Sequence, residues 1–386
     1  MSGAAGPVDL APLLGVLAVG TGVALVPLAW FWRRARGDAP ALRLQAFAWL
    51  VLFLSFDLVL LGAFTRLSDS GLGCPDWPGC YGHASPIGAS GHIAAAEAAV
   101  PTGPVTATKA WIEMLHRYAA TAIGALVAIL AGLALRAARR SGGRIGSGWA
   151  LVTLLWICVQ GAFGALTVAW RLYPAIVSLH LLGGLGLLAL LAIQAERYAP
   201  RPLSLPTGLR AGLVAVAVLA VVQIALGAWV SSNYAVLACT DFPTCQGSWW
   251  PDTDFAEGFV VRRSLGAGSD GNLPFAALTA IHLAHRLGAL VVIAAVVALA
   301  WRLHGAGAAL RPWALALLGL IAWQAASGLG NVLLGWPLAA ALAHTAGAAG
   351  LVVVLAVLLV RSASPRLAAD AVDAGGAPAL ASESIR

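Results

Sequence analysis

A chain of 386 residues that is 60% hydrophobic and 10% charged, with a mean hydropathy of +0.86, is too apolar for a soluble domain. Its solvent is the lipid bilayer. The net charge of +7 does not indicate a nucleic-acid partner, because the basic residues are dispersed through short loops rather than gathered on one polar face.

Apolar runs of roughly 20 residues mark spanning helices. Nine are read in chain order, near residues 10–32, 43–64, 113–135, 148–169, 174–194, 210–231, 277–301, 312–334 and 337–360. The first lacks a small-residue cleavage site and ends in Trp30, Trp32, Arg33 and Arg34, which marks a retained anchor rather than a secretory leader. The residues after Arg361, rich in Ala, Asp and Ser, have no apolar periodicity and read as a disordered cytoplasmic tail. In a nine-span topology 16 of the 23 basic residues, from Arg33 to Arg386, fall on one side. The positive-inside rule makes that side cytoplasmic, so the N-terminus is expected outside and the chain in the inner (plasma) membrane.

Two long segments, near 65–112 and 232–276, then lie outside the membrane and hold four of the five cysteines. An exported loop permits disulfides, so Cys74 pairs naturally with Cys80 and Cys239 with Cys245. Cys158, inside an apolar run, reads as a packing residue.

These two cysteine segments also align with each other. CPDWPGC begins at Cys74 and CTDFPTC at Cys239, an offset of 165 residues, with Cys, Asp, aromatic, Pro and Cys in one register. Nearly the same offset carries His116 and Arg117 onto His285 and Arg286, Gln160 onto Gln324, Gly164 onto Gly328, and His180 onto His344. The expected fold is therefore an all-α polytopic membrane protein, two repeated four-helix bundles plus one extra N-terminal transmembrane helix. Its units are an N-terminal helix and linker (1–42), a first half (43–200), a second half (201–362) and the tail (363–386). Four spans per half give both halves the same orientation, with a pseudo-symmetry axis along the membrane normal.

Of eight histidines only His116, His180, His285 and His344 are matched by the repeat, each in the first turns of a span that starts at the outer face. Imidazoles inside a membrane are costly and mark function. Two of them on facing helices at equal depth suit the two axial positions of heme iron, whereas zinc lacks a matched third or fourth ligand. Arg117 and Arg286 sit at the outer boundary, where they either pair with heme propionates or snorkel to the interface. His282 lies one turn before His285 and could replace it as ligand; the match to His116 favours His285. Glu113 aligns with His282, and Arg66 with Ser231, so the first half alone carries a carboxylate one turn before its histidine. That inequality suits one site for chemistry and one for electron transfer.

In TRLSDSGLGCPDWPGC from Thr65, EMLHRY from Glu113, the histidine of VSLHLLGG, AHRLGAL from Ala284 and LAHTAG from Leu342, the chain resembles the heme A synthase family over roughly residues 43–360. The resemblance implies oxidation of the C8 methyl group of heme O to a formyl group, giving heme A for terminal oxidases. It implies that His285 and His344 ligate a permanent heme b with Arg286 beside it, that His116, His180 and Arg117 bind the substrate heme, and that Glu113 is the catalytic acidic residue. Cys74 and Cys80 match the family's outer-loop pair, whereas Cys239 with Cys245 and the first span depart from its minimal eight-helix pattern. Implied partners are a heme O synthase as supplier and an electron acceptor; association into a homo-oligomer is left open. The competing readings are a quinol-linked electron-transfer protein with two b hemes and no substrate turnover, and a secondary transporter with repeated halves.

Overall fold

The computed structural model describes residues 10–262 and 273–373. Eleven α-helices follow in order: α1 (Ala11–Arg34), α2 (Pro40–Leu67), α3 (Ser90–Ala99), α4 (Ala107–Arg140), α5 (Gly148–Ala169), α6 (Pro174–Tyr198), α7 (Thr207–Ser232), α8 (Phe255–Gly258), α9 (Phe275–Gly305), α10 (Arg311–Leu333) and α11 (Leu338–Asp373). Among the described residues nine helices, all but α3 and α8, are long and apolar enough to cross a bilayer. The chain is a multi-pass membrane protein built from helices.

The helix starts are written locally. Proline occupies the first turn of α2, α6 and α10, where its missing N–H costs nothing. Thr106 caps α4 by accepting a hydrogen bond from the Lys109 N–H at 3.2 Å. With 34 residues α4 is about 51 Å long, well beyond the roughly 30 Å hydrocarbon layer, so its first turns reach past the layer into the preceding loop.

Helix α2 packs on α4, α6 and α11; α7 packs on α9, α6 and α11; and α10 packs on α9 and α11. Phe47, Leu126, Leu130, Leu188 and Leu191 lie at the centre of one apolar cluster, and Leu213, Leu303, Leu317 and Leu358 at the centre of a second. Lipid is as apolar as leucine, so close fit rather than water exclusion holds these helices together. Helix α1 lies outside the first half against α4. It comes close at Gly20, where a Cβ would stand 2.5 Å from Thr121 Cβ.

Three long-range contacts join residues 165 apart, the offset of the sequence repeat. Arg361 donates to both carboxylate oxygens of Glu196 at 2.8 and 2.9 Å; at the other end of the bundle Arg66 donates to the Ser231 carbonyl at 2.6 Å and the Tyr234 hydroxyl to Asp69 at 3.4 Å. The guanidinium of Arg66 also lies 4.1 Å from the centre of the Tyr234 ring.

Three expectations meet differences. Helix α3 lies within the long loop between α2 and α4, and hydropathy alone does not reveal it. Helix α11 runs to Asp373, past the expected start of the tail, and residues 374–386 lie outside the described residues. Cys158 is exposed on α5 rather than packed inside. An apolar run reads alike whether a residue faces lipid or a neighbouring helix, so hydropathy could not assign its side.

Candidate functional site

The four repeat-matched histidines occupy α4 (His116), α6 (His180), α9 (His285) and α11 (His344). His116 lies close enough to His180, and His285 to His344, for their charges to interact. Each ring rests against a glycine of an adjacent helix. A Cβ added at Gly62, Gly164, Gly227 or Gly328 would stand 3.0, 3.5, 3.0 or 3.2 Å from Cε1 of His116, His180, His285 or His344 respectively. Gly62 and Gly227 are themselves 165 apart, a match available in the sequence but overlooked there.

Among the described residues nothing hydrogen-bonds to Nε2 of any of these four rings, and no group of three or more His, Cys, Asp or Glu side chains converges as a metal site. Two imidazoles with open Nε2 atoms fit the axial positions of a porphyrin iron, which needs no further protein ligand. The donor set therefore fits heme and does not fit zinc.

The two pairs differ at the opposite ring nitrogen. Nδ1 of His116 and of His180 is buried without a hydrogen-bond partner. Nδ1 of His285 lies 3.0 Å from Gln223 Nε2, which also donates to the His285 carbonyl at 2.9 Å. Nδ1 of His344 lies 3.0 Å from the Ser327 hydroxyl. That hydroxyl donates to the Trp323 carbonyl at 2.7 Å, so toward the ring it is an acceptor. Gln324 stands behind the same histidine and, with its amide oriented to satisfy both ends, donates to the His344 carbonyl at 3.0 Å and to His344 Nδ1 at 2.9 Å, and accepts from the Ala348 N–H at 2.8 Å.

Two disulfide-closed loops cap this end of the bundle. Cys74 is bonded to Cys80 and Cys239 to Cys245. The motif aspartate organises each loop: Asp76 accepts from the N–H groups of Tyr81 and Gly82 at 2.6 and 2.7 Å, and Asp241 from those of Gln246 and Gly247 at 2.7 and 3.0 Å. Gly82 and Gly247 both have φ of +73°, which glycine adopts freely. The Thr244 hydroxyl and these backbone donors hold the Asp241 carboxyl down at about 2. A depressed carboxyl stabilises the fold above its unfolded value and loses that contribution only as pH falls toward the folded one. The second loop should thus resist a thiol reductant equally at pH 7 and pH 5 once its rate is divided by that of a small unstructured disulfide under the same conditions, which cancels the loss of reactive thiolate, as alkylation of Cys239 and Cys245 at one common pH would show.

Arginine from the following helix clamps each loop. Arg117 donates to the carbonyls of Asp76 at 2.8 Å, Pro78 at 3.2 Å and Gly79, and pairs with Glu113 one turn earlier. The second Glu113 oxygen accepts the Cys74 N–H at 2.8 Å. Arg286 donates to the carbonyls of Thr244 and Cys239 at 2.9 and 3.0 Å and among the described residues makes no ion pair with a carboxylate; where the first half carries Glu113, His282 turns its Nδ1 to the Ala235 carbonyl at 3.0 Å. Thus Glu113 and both arginines, expected from the sequence to be heme neighbours, make their hydrogen bonds to the loops. Thiol trapping of unreduced protein should find both cysteine pairs oxidised and Cys158 alone alkylated after denaturation; free thiols at 74 and 80 would contradict the first-loop bond.

Residues 45–356 match the family model described as cytochrome oxidase assembly protein, COX15-CtaA. The chain is 38% identical over 312 residues to a protein of Shewanella oneidensis named heme A synthase, covering 79% of this chain and 92% of that protein. A protein of the same name from Halalkalibacterium halodurans is 31% identical over 64% of this chain and 72% of its own length, and one from Rhizorhabdus wittichii is 29% identical over 84% and 95%. With its paired membrane histidines, its disulfide-closed loops and a match that runs from α2 into α11, the chain belongs to the COX15-CtaA family of cytochrome oxidase assembly proteins.

Proposed function

We propose that this chain is a heme A synthase, an oxidoreductase that converts the C8 methyl group of heme O to the formyl group of heme A. Beyond the family match, the observation that carries the reading is the arrangement of two histidine pairs, each with open Nε2 atoms and each ring seated on a glycine of the next helix. His116 and His180 hold the substrate heme and His285 and His344 a resident heme b. A heme b bound there would relay electrons from the oxidised methyl group to an acceptor. The assignment of substrate to the first half rests on Glu113, which that half alone possesses.

In this reading the two halves are repeats about an axis along the membrane normal. A residue meets its own counterpart only beside a two-fold axis, and the pairs Glu196 with Arg361, Arg66 with Ser231, and Asp69 with Tyr234 are such counterparts at opposite ends of the bundle. The histidine end faces outward and the arginine-rich helix ends, including Arg33, Arg34, Arg139 and Arg140, face the cytoplasm. Arg117 and Arg286 fix the disulfide loops over the heme edges. Arg286 Nε, buried without a partner, is the donor left for a propionate. Heme O would come from a heme O synthase in the same inner membrane.

The test is extraction and chromatography of hemes from the purified protein, expressed with and without a heme O supply. Heme b is expected in both cases and heme A only with heme O. A protein that holds two b hemes and never yields heme A would be an electron carrier instead.

A further inference from the structure

Helix α1 stands outside the sequence repeat, yet its contacts go beyond α4. Pro12, Val16, Gly20 and Ala24 lie four residues apart on its buried face. Its first turns reach the Cys74–Cys80 loop. A Cβ on Gly79 would stand 3.0 Å from Pro12 Cβ, a Cβ on Gly15 would overlap that of Ala84, and Val16 shares one buried apolar cluster with Cys74, Cys80 and Met114. Helix α4 holds the same two loop residues: Arg117 donates to the Gly79 carbonyl and the Tyr118 hydroxyl to the Ala84 carbonyl at 2.6 Å. Two helices therefore grip the loop, α4 through hydrogen bonds and α1 through close packing.

The matched positions of the second half differ where α1 makes contact. Gly79 corresponds to Thr244, whose hydroxyl turns back to Asp241 at 2.5 Å, and Ala84 to Trp249, which is 75% exposed. On α4, Thr121 packs against Gly20; by the offset that joins His116 to His285 it corresponds to Leu290, which is 61% exposed. Small residues meet α1 where the repeat carries bulky apolar ones that face outward.

We propose that α1 is a brace for the first disulfide loop, and that Pro12, Gly15 and Val16 are positioning residues that act on Glu113 through it. The line of contact is short. Helix α1 fixes the segment 79–84, the Cys74–Cys80 bond ties that segment to Cys74, and the Cys74 N–H donates to Glu113 at 2.8 Å. Helices in lipid associate by packing, and small residues set how closely they approach, so a side chain added at this contact pushes α1 away from the loop. The freed loop exposes its disulfide and loosens one of the two anchors of the carboxylate. The effect on turnover rests on the function proposed above; the effect on the loop does not.

The experiment treats the full-length protein in detergent with a phosphine reductant at one pH and follows both bonds by alkylation and mass spectrometry, with Cys239–Cys245 as the reference in the same molecules. Gly15→Leu overpacks the contact with Ala84, so Cys74–Cys80 should be reduced at least about 5-fold faster while Cys239–Cys245 keeps its rate. The low-spin heme b spectrum should remain, and the heme A yield should fall, by up to about 100-fold for a carboxylate displaced by about 1 Å. Gly15→Ala should show a smaller effect of the same kind, which Ala84→Gly cancels by removing the overlapping methyl group. Val26→Ala, on the exposed face of α1, should match wild type. Equal acceleration of both bonds, or an unchanged first bond in Gly15→Leu protein that keeps its heme b, would overturn the brace. A labile first bond with a wild-type yield of heme A would overturn the positioning of Glu113. Wild-type protein that never yields heme A would refute the proposed function instead, and the two reduction rates would still decide the brace.

Discussion

Replacing His285 or His344 by alanine should abolish the low-spin signal of the resident heme b, whereas His282→Ala should keep it. Each of the first two removes one of the two Nε2 donors that the second half offers, and the glycine seats at Gly227 and Gly328 carry no group that could take over. An axial position opens, the iron becomes high-spin, and retention falls by more than the 10-fold to 100-fold typical of residues that only orient a ligand. His282 has a different role. It lies one turn before His285, is 4% exposed, and commits Nδ1 to the Ala235 carbonyl in the turn that follows α7. Its loss removes one of two hydrogen bonds to that carbonyl, which keeps the Ala238 N–H at 3.2 Å, so it costs about 0.5–1.5 kcal/mol, a stability effect rather than a ligation effect. Optical spectra of the three purified variants decide between the two neighbours. If the His282 variant loses the low-spin spectrum and the His285 variant retains it, the ligand assignment is wrong.

The helical membrane architecture was legible because in lipid every backbone polar group must be satisfied within its own segment. Nine apolar runs therefore translate into nine helices with ends displaced by a few residues, as at α4, which starts at Ala107 where apolarity alone suggests 113. Length beyond the bilayer was not legible, since the first turns of α4 are polar and read like loop. The cysteine pairing was legible from spacing and compartment, and both bonds are present.

What stands around the histidines was harder to read. The repeat isolates four of eight histidines, but a search for matched positions favours what the halves share. Gln223 and Ser327, which stand at Nδ1 of His285 and His344, escape such a search because the offset positions hold Leu58 and Phe163. The arginines posed the opposite difficulty. Arg117 and Arg286 follow the ligands in both halves, and their charge suggested propionates, yet each guanidinium reaches back over roughly 40 residues of chain to loop carbonyls. Sequence shows the cation and the loop separately; only packing shows that one closes over the other.

Glu113→Gln should leave a folded protein that retains heme b through His285 and His344 but accumulates heme O or a hydroxylated intermediate and makes little heme A. The carboxylate is 4% exposed, joined to Arg117 at 8%, and bound to the Cys74 N–H at 2.8 Å. Breaking a buried ion pair by removing one partner costs about 3–5 kcal/mol when the other charge is stranded. Here Arg117 keeps the carbonyls of Asp76, Pro78 and Gly79, and the glutamine oxygen can still accept from Cys74, so the cost falls well below that range and the fold survives. In the reading proposed above the resident heme lies in the other half and is untouched. In that reading turnover is the vulnerable quantity: oxidation of the methyl carbon would develop positive charge, and Glu113 would supply the negative charge that the second half lacks at the matched position. Its oxygens are directed at the loop, so the same residue also sets where the Cys74–Cys80 loop lies over the His116 and His180 pair. Thiol trapping separates the two contributions. Lost heme A with a fully protected disulfide assigns the effect to charge, whereas lost heme A with an accessible disulfide assigns it to the position of the loop. Wild-type yields of heme A from this variant would reduce Glu113 to a loop anchor and remove the reason for placing the substrate in the first half.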